Sequence, residues 1–146
     1  MIIILKMKKI FILIFFAGFL LGCNKDSFNN DNPYLPNYSF SMDLNKNLPS
    51  YSGLNFAGNA IKAYPANGPS RGVIVFNTGG EYKAWDGACP NQDLTTCSTL
   101  NISGSNANCT CGNENYNLFT GESAGKPYPL KQYRVEVNGD IIRIFN

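Results

Sequence analysis

Of the five cysteines in this chain of 146 residues, Cys89, Cys97, Cys109 and Cys111 share one stretch, spaced Cys-x7-Cys-x11-Cys-x-Cys. Four neighbouring sulfurs can do three kinds of chemistry. As thiolates they can close a zinc site or ligate an iron–sulfur cluster. As thiols they can exchange with other disulfides, where a cation such as Lys126 or Lys131 lowers a thiol pKa, although the usual Cys-x-x-Cys at a helix start is absent. As disulfides they can brace the loops that carry them. Four cysteines allow three pairings, and a direct Cys109–Cys111 bond, with one residue between, is badly strained. The chain has no histidine. That removes the side chain that exchanges protons most easily near neutral pH and argues against an ordinary hydrolase.

The elements that must position these sulfurs belong to one domain. At 44% hydrophobic and 13% aromatic the chain can bury a single core. Met1 to Cys23 has the anatomy of an export signal: Lys8 and Lys9, an apolar run from Ile10 to Leu21, then small Gly22 ahead of a cysteine. The run is short for a bilayer span. A start at Met7 rather than Met1 gives the more usual basic beginning. Leu20-Leu21-Gly22-Cys23 resembles the lipobox of bacterial lipoproteins, which implies cleavage ahead of Cys23 and diacylglycerol on its thiol. The chain accordingly divides into a lipoprotein signal peptide (1–22), a polar tether (23–37) and a β domain (38–146), expected lipid-anchored in a bacterial cell envelope outside the cytoplasm. With Lys6, Lys8 and Lys9 set aside, nine basic residues face ten acidic ones, so no basic footprint for nucleic acid remains.

Within the domain the pattern is β throughout. Tyr38, Phe40, Met42 and Leu44 alternate with polar residues, as a half-buried strand requires. Ala60 to Tyr64 is a short strand candidate. Val73 to Phe76, Thr78-Gly79-Gly80 and Glu81 to Trp85 read as a hairpin that delivers the chain to Cys89. Tyr116 to Phe119 is a further strand. Pro127 and Pro129 exclude a central strand there. Tyr133 to Val137, turning at Asn138-Gly139 into Ile141 to Phe145, is the clearest hairpin. No segment after the signal has a helical period. Trp85 is expected in the core.

Cys89-Pro90-Asn91, then Cys97, then Cys109-Thr110-Cys111-Gly112 ahead of Tyr116-Asn117-Leu118 and Thr120-Gly121-Glu122 resemble the two cluster-binding loops of Rieske iron–sulfur proteins. Asp86-Gly87-Ala88, Pro127-Tyr128-Pro129-Leu130 and the terminal hairpin extend the likeness from about Val73 to Phe145. The resemblance implies an all-β fold of short antiparallel strands in stacked small sheets. It also implies that Cys89 and Cys109 stand at the thiolate positions, while Cys97 and Cys111 match the pair that forms an inter-loop disulfide in some members. The family's second iron needs two imidazoles. Asn91 and Gly112 stand at those positions, Asn113 replaces a glycine, and the run from Cys89 to Cys97 is longer than usual.

A Lys-Lys signal rather than a twin arginine resembles that of a chain exported unfolded, which no cytosolic cluster survives, and exported thiols become disulfides by default. The expectation is therefore a degenerate, cluster-free domain acting as a binding or structural module, without catalytic residues. The resemblance favours Cys97–Cys111 as its disulfide and leaves Cys89 and Cys109 close enough to pair as well. The alternatives are an electron-transfer protein with an atypically ligated [2Fe–2S] cluster, held by Cys89 and Cys109 with further sulfurs, and a thiol–disulfide oxidoreductase.

Overall fold

The computed structural model describes residues 30–146, so the signal peptide, Cys23 and the first half of the tether lie outside the described residues. Nine strands follow in order: β1 (Ser41–Asn45), β2 (Ala60–Ala63), β3 (Val73–Asn77), β4 (Tyr82–Asp86), β5 (Leu100–Ser103), β6 (Asn106–Cys109), β7 (Asn115–Asn117), β8 (Gln132–Asn138) and β9 (Ile141–Phe145). Apart from one 3-10 turn at Ser52–Asn55, no helix occurs among them, and none is long and apolar enough to cross a membrane. The fold is all-β. A six-stranded sheet has the order β1-β9-β8-β4-β3-β2, and a three-stranded sheet the order β5-β6-β7; every pairing is antiparallel.

The continuous apolar run of β3 is explained by burial on both faces. Val73 and Val75 point into one core with Phe40, Leu44, Leu54, Tyr133, Ile142 and Ile144. Ile74 and Phe76 point into a second core with Trp85, Leu100, Tyr116 and Leu118, which joins the small sheet to the large one. Each fully buried side chain of this size contributes about 2 kcal/mol. β8 is shared: Gln132 and Tyr133 pair with β4, whereas Arg134 to Asn138 pair with β9. That change of partner curls the large sheet around the first core.

The last hairpin differs from its expected turn. Asn138 pairs with Ile141 and belongs to β8, so the two turn residues are Gly139 and Asp140. Gly139 has φ +59°, while Asp140 is not in the left-handed region. That is a turn with glycine at its first central position, in place of the Asn-Gly turn with two positive φ angles. β7 is shorter than the expected Tyr116–Phe119 strand, because Phe119 already lies in a turn in which its N–H is bound by the Asn117 side chain (2.8 Å). Residues 30–37, read in the sequence as tether, pack against the domain. Asn30 Nδ2 reaches the Gln132 carbonyl (3.1 Å) and Asn146 Oδ1 (2.8 Å), Asn32 Nδ2 reaches the Pro90 carbonyl (2.9 Å), and Leu35 is buried.

Candidate functional site

Three loops meet at the end of the small sheet: residues 87–99 after β4, residues 110–114 between β6 and β7, and the proline segment 124–131. Asp86 sets the direction of the first, since its carboxylate accepts from the Ala88 N–H (2.8 Å) and so turns the chain into Cys89. The same carboxylate takes the Tyr133 hydroxyl at 2.7 Å in the interior. Burial pushes Asp86 above the usual carboxylate range, against the pull of the Tyr133 and Ala88 hydrogen bonds and of Lys131 and Lys62. Burial also raises the Tyr133 phenol, with the Asp86 charge in the same direction.

The cysteines form two disulfides of different setting. Cys89 and Cys109 are joined with Cα atoms 5.6 Å apart, at 1% and 2% exposure inside the second core. Cys97 and Cys111 are joined with Cα atoms 5.3 Å apart on the surface. Both separations lie in the ordinary range for a bridge.

Asn91 and Gly112, the positions that the resemblance assigns to imidazoles, are engaged in other interactions. Asn91 Nδ2 donates to the Tyr116 hydroxyl (2.9 Å) and to the Tyr128 carbonyl (2.7 Å), and Asn91 Oδ1 accepts from the Tyr128 N–H (3.0 Å). It thus ties the first loop to β7 and to the proline segment. Burial raises the Tyr116 phenol, while the Asn91 hydrogen bond pulls it the other way. At Gly112 a Cβ would fall 2.2 Å from Glu114 Oε2 and 2.5 Å from Oε1. That carboxylate is held by Lys126 Nζ at 2.6 Å, and the hydrogen bond from Lys126 holds its pKa below the usual range. Asn113 has φ +58°. Asparagine tolerates this left-handed conformation better than most side chains, so the loop keeps its path without glycine.

The longer first loop is organised by Ser98, which the sequence reading passed over. Fully buried, its hydroxyl accepts from Gln92 Nε2 (2.8 Å) and from the Thr95 N–H (2.9 Å), lies 3.0 Å from Thr95 Oγ1, and donates to the Asp93 carbonyl (2.7 Å). The only signal was a run of hydroxyl residues around Cys97. Neither lysine considered for the thiols is free to serve them. Lys126 pairs with Glu114, and Lys131 is buried at 3% exposure with its Nζ on Asn37 Oδ1. Arg71 is the cation that reaches the first loop, donating from Nη2 to the Thr95 carbonyl (2.6 Å). Trp85 is core, with Nε1 donating to the Leu118 carbonyl (3.1 Å).

A [2Fe–2S] group does not fit these residues. The two sulfurs at its thiolate positions are bonded to each other, Asn91 directs its polar atoms at Tyr116 and Tyr128, and Gly112 has no donor. Among the described residues no three His, Cys, Asp or Glu side chains converge as a metal site.

No family model and no curated protein matches the chain. Among solved structures it is similar to a Sphingomonas yanoikuyae B1 ferredoxin, at 20% identity over 62% of this chain and 88% of that one, TM-score 0.45. It is also similar to the ferredoxin of carbazole 1,9a-dioxygenase from Nocardioides aromaticivorans IC177, at 16% identity over 62% and 86%, TM-score 0.42. A third similar chain comes from a complex of reduced oxygenase and oxidised ferredoxin in carbazole 1,9a-dioxygenase, at 20% identity over 61% and 82%, TM-score 0.45.

Proposed function

We propose that this chain is a bacterial envelope lipoprotein, anchored through Cys23, whose Rieske-like β domain carries no cluster and works as a disulfide-braced binding or structural module. One observation carries the reading: Cys89 and Cys109, at the thiolate positions of the resemblance, form a bond to each other in the interior. A thiolate pair joined in this way has no lone thiolate to offer a metal. The hydrogen bonds of Asn91 support the same reading, because they replace a ligand by a suture between loops. The lipobox and the oxidising compartment that it implies support the disulfides. No catalytic residue is assigned, and the partners are the membrane, through the lipid on Cys23, and a protein or other envelope component that the module binds.

The test is made on protein extracted from its own membrane. Iron, inorganic sulfide, visible absorbance, free thiols and the mass of the N-terminal peptide are measured together. The expected result is a colourless protein without iron or free thiol, acylated at Cys23. Near-stoichiometric iron with charge-transfer absorbance would overturn the reading in favour of an electron-transfer protein with sulfur from Cys97 and Cys111. A mature end without lipid would overturn the anchor.

A further inference from the structure

The two disulfides differ in what governs exchange, namely access and the stability of the departing thiolate. Cys89–Cys109 is shut in the second core, where a thiolate would be desolvated. Cys97 and Cys111 are both exposed. One hydroxyl lies against both outer sulfurs: Thr95 Oγ1 is 3.5 Å from Cys97 Sγ and 3.8 Å from Cys111 Sγ. Thr95 is itself held on two sides, by Ser98 beneath and by the Arg71 guanidinium on its carbonyl. Other charges of these loops are Asp93 and Glu114, the latter paired with Lys126.

We propose that Cys97–Cys111 is an exchange site for an exported dithiol, opening and closing while Cys89–Cys109 keeps the domain folded. This rests on the two-disulfide reading and adds an activity to it. A thiolate of the partner attacks Cys111 Sγ, forming a mixed disulfide. The Cys97–Cys111 bond breaks, and its electron pair leaves on Cys97 Sγ, the sulfur nearer the Thr95 hydroxyl, which donates a hydrogen bond to the new thiolate. The partner's second thiol then attacks the partner's own sulfur in the mixed disulfide and releases Cys111. Two electrons and two protons pass from the partner, which ends as a disulfide, to Cys97 and Cys111, which end as thiols.

The outer bond is not the sole tie between the loops. Thr110 N–H and Oγ1 both donate to the Thr99 carbonyl (3.0 and 2.9 Å), and β5 pairs with β6 along its whole length. Opening the outer bond therefore leaves the two loops in register.

The oxidised, lipid-bearing chain is treated with dithiothreitol or reduced glutathione in native buffer, quenched with an alkylating agent and mapped by peptide mass. Label is expected at Cys97 and Cys111 more than about tenfold faster than at Cys89 and Cys109, because the latter pair must wait for the core to open. Glutathione adducts should fall on Cys111. Thr95→Val should slow opening about tenfold, the effect of losing one hydrogen bond to a charged group, and Thr95→Ser should restore the rate. Simultaneous labelling of all four cysteines, adducts on Cys97, or a Thr95→Val rate equal to that of the parent would overturn the proposal. An iron-containing protein would defeat the cluster-free reading itself. An iron-free protein that labels all four together defeats only this inference.

Discussion

Asn91→Ala removes the side chain that ties the first loop to β7 and to the proline segment, and the structure sets what it should cost. Three hydrogen bonds go: two donated by Nδ2, to the Tyr116 hydroxyl and the Tyr128 carbonyl, and one accepted by Oδ1 from the Tyr128 N–H. Each neutral bond contributes about 1 kcal/mol net, and a buried group left without a partner costs more. Asn91 is half-buried, so water replaces part of what is lost. A loss of about 2 kcal/mol follows, on the order of 8 °C in melting temperature for a domain of this size. Thermal and urea melts of the oxidised variant measure it. A second readout is specific to the bond. Because the Asn91 N–H holds down a Tyr116 phenol that burial pushes up, its removal should move that phenol further up in a spectrophotometric titration. A loss below about 0.5 kcal/mol, or an unmoved Tyr116, would refute the suture.

The remaining predictions concern the outer bond, the tryptophan contact and acid stability. Cys97→Ser with Cys111→Ser should lower stability by about 3 kcal/mol in the chain-entropy estimate, while circular dichroism stays native at room temperature; an unchanged urea midpoint would contradict the brace. Gly121→Ala puts a Cβ 2.8 Å from Trp85 Cη2 at φ +80°, so both contact and backbone are strained and about 2 kcal/mol should be lost, read by urea melts and Trp85 fluorescence. Lys126 holds the Glu114 pKa down, so this pair contributes stability above the unfolded carboxylate range that is lost as pH falls through the folded pKa. Lys126→Met should therefore weaken the acid dependence of the melting temperature below about pH 5.

Much of the fold was legible because burial on one or two faces writes itself into the sequence. Val73 to Phe76 reads as a buried run since both of its faces meet a core, and Tyr133 to Phe145 reads as a hairpin since one face does. The β5–β6 hairpin was not legible. Asn106-Ala107-Asn108-Cys109 is short and mostly polar, and its buried positions, Ala107 and Cys109, are small. Its pairing is held by a disulfide and by neighbouring strands, which local pattern does not display. At the site, the four cysteines were plain from residue type alone. Ser98 and Arg71 were not, because each acts through backbone atoms of a loop whose path depends on long-range contacts. Residues 30–37 looked like spacer for a related reason: asparagines give no hydrophobic period, yet Asn30 and Asn32 bind backbone carbonyls 102 and 58 residues away in sequence.

Placing imidazoles at Asn91 and Gly112 tests whether this site lacks only ligands for a cluster. The steric obstacle at Gly112 is modest. The Glu114 carboxylate is the end of a flexible side chain and can swing aside, giving up only a solvent-screened ion pair with Lys126. Asn91→His costs about 1 kcal/mol, since one imidazole tautomer offers a single N–H and a single acceptor against the three hydrogen bonds of the amide. The larger obstacle is the bond between Cys89 and Cys109, which closes a segment of sequence separation 20 in the interior and contributes on the order of 3 kcal/mol. Histidines do nothing to break it, and the oxidising compartment of the proposed function favours it. On the exported reading proposed above, Asn91→His with Gly112→His should therefore keep the Cys89–Cys109 linkage in a peptide map and bind no iron. Iron in the exported double variant would show that the sulfurs remain available in the folded chain, and that histidine alone separates this domain from one that carries a cluster.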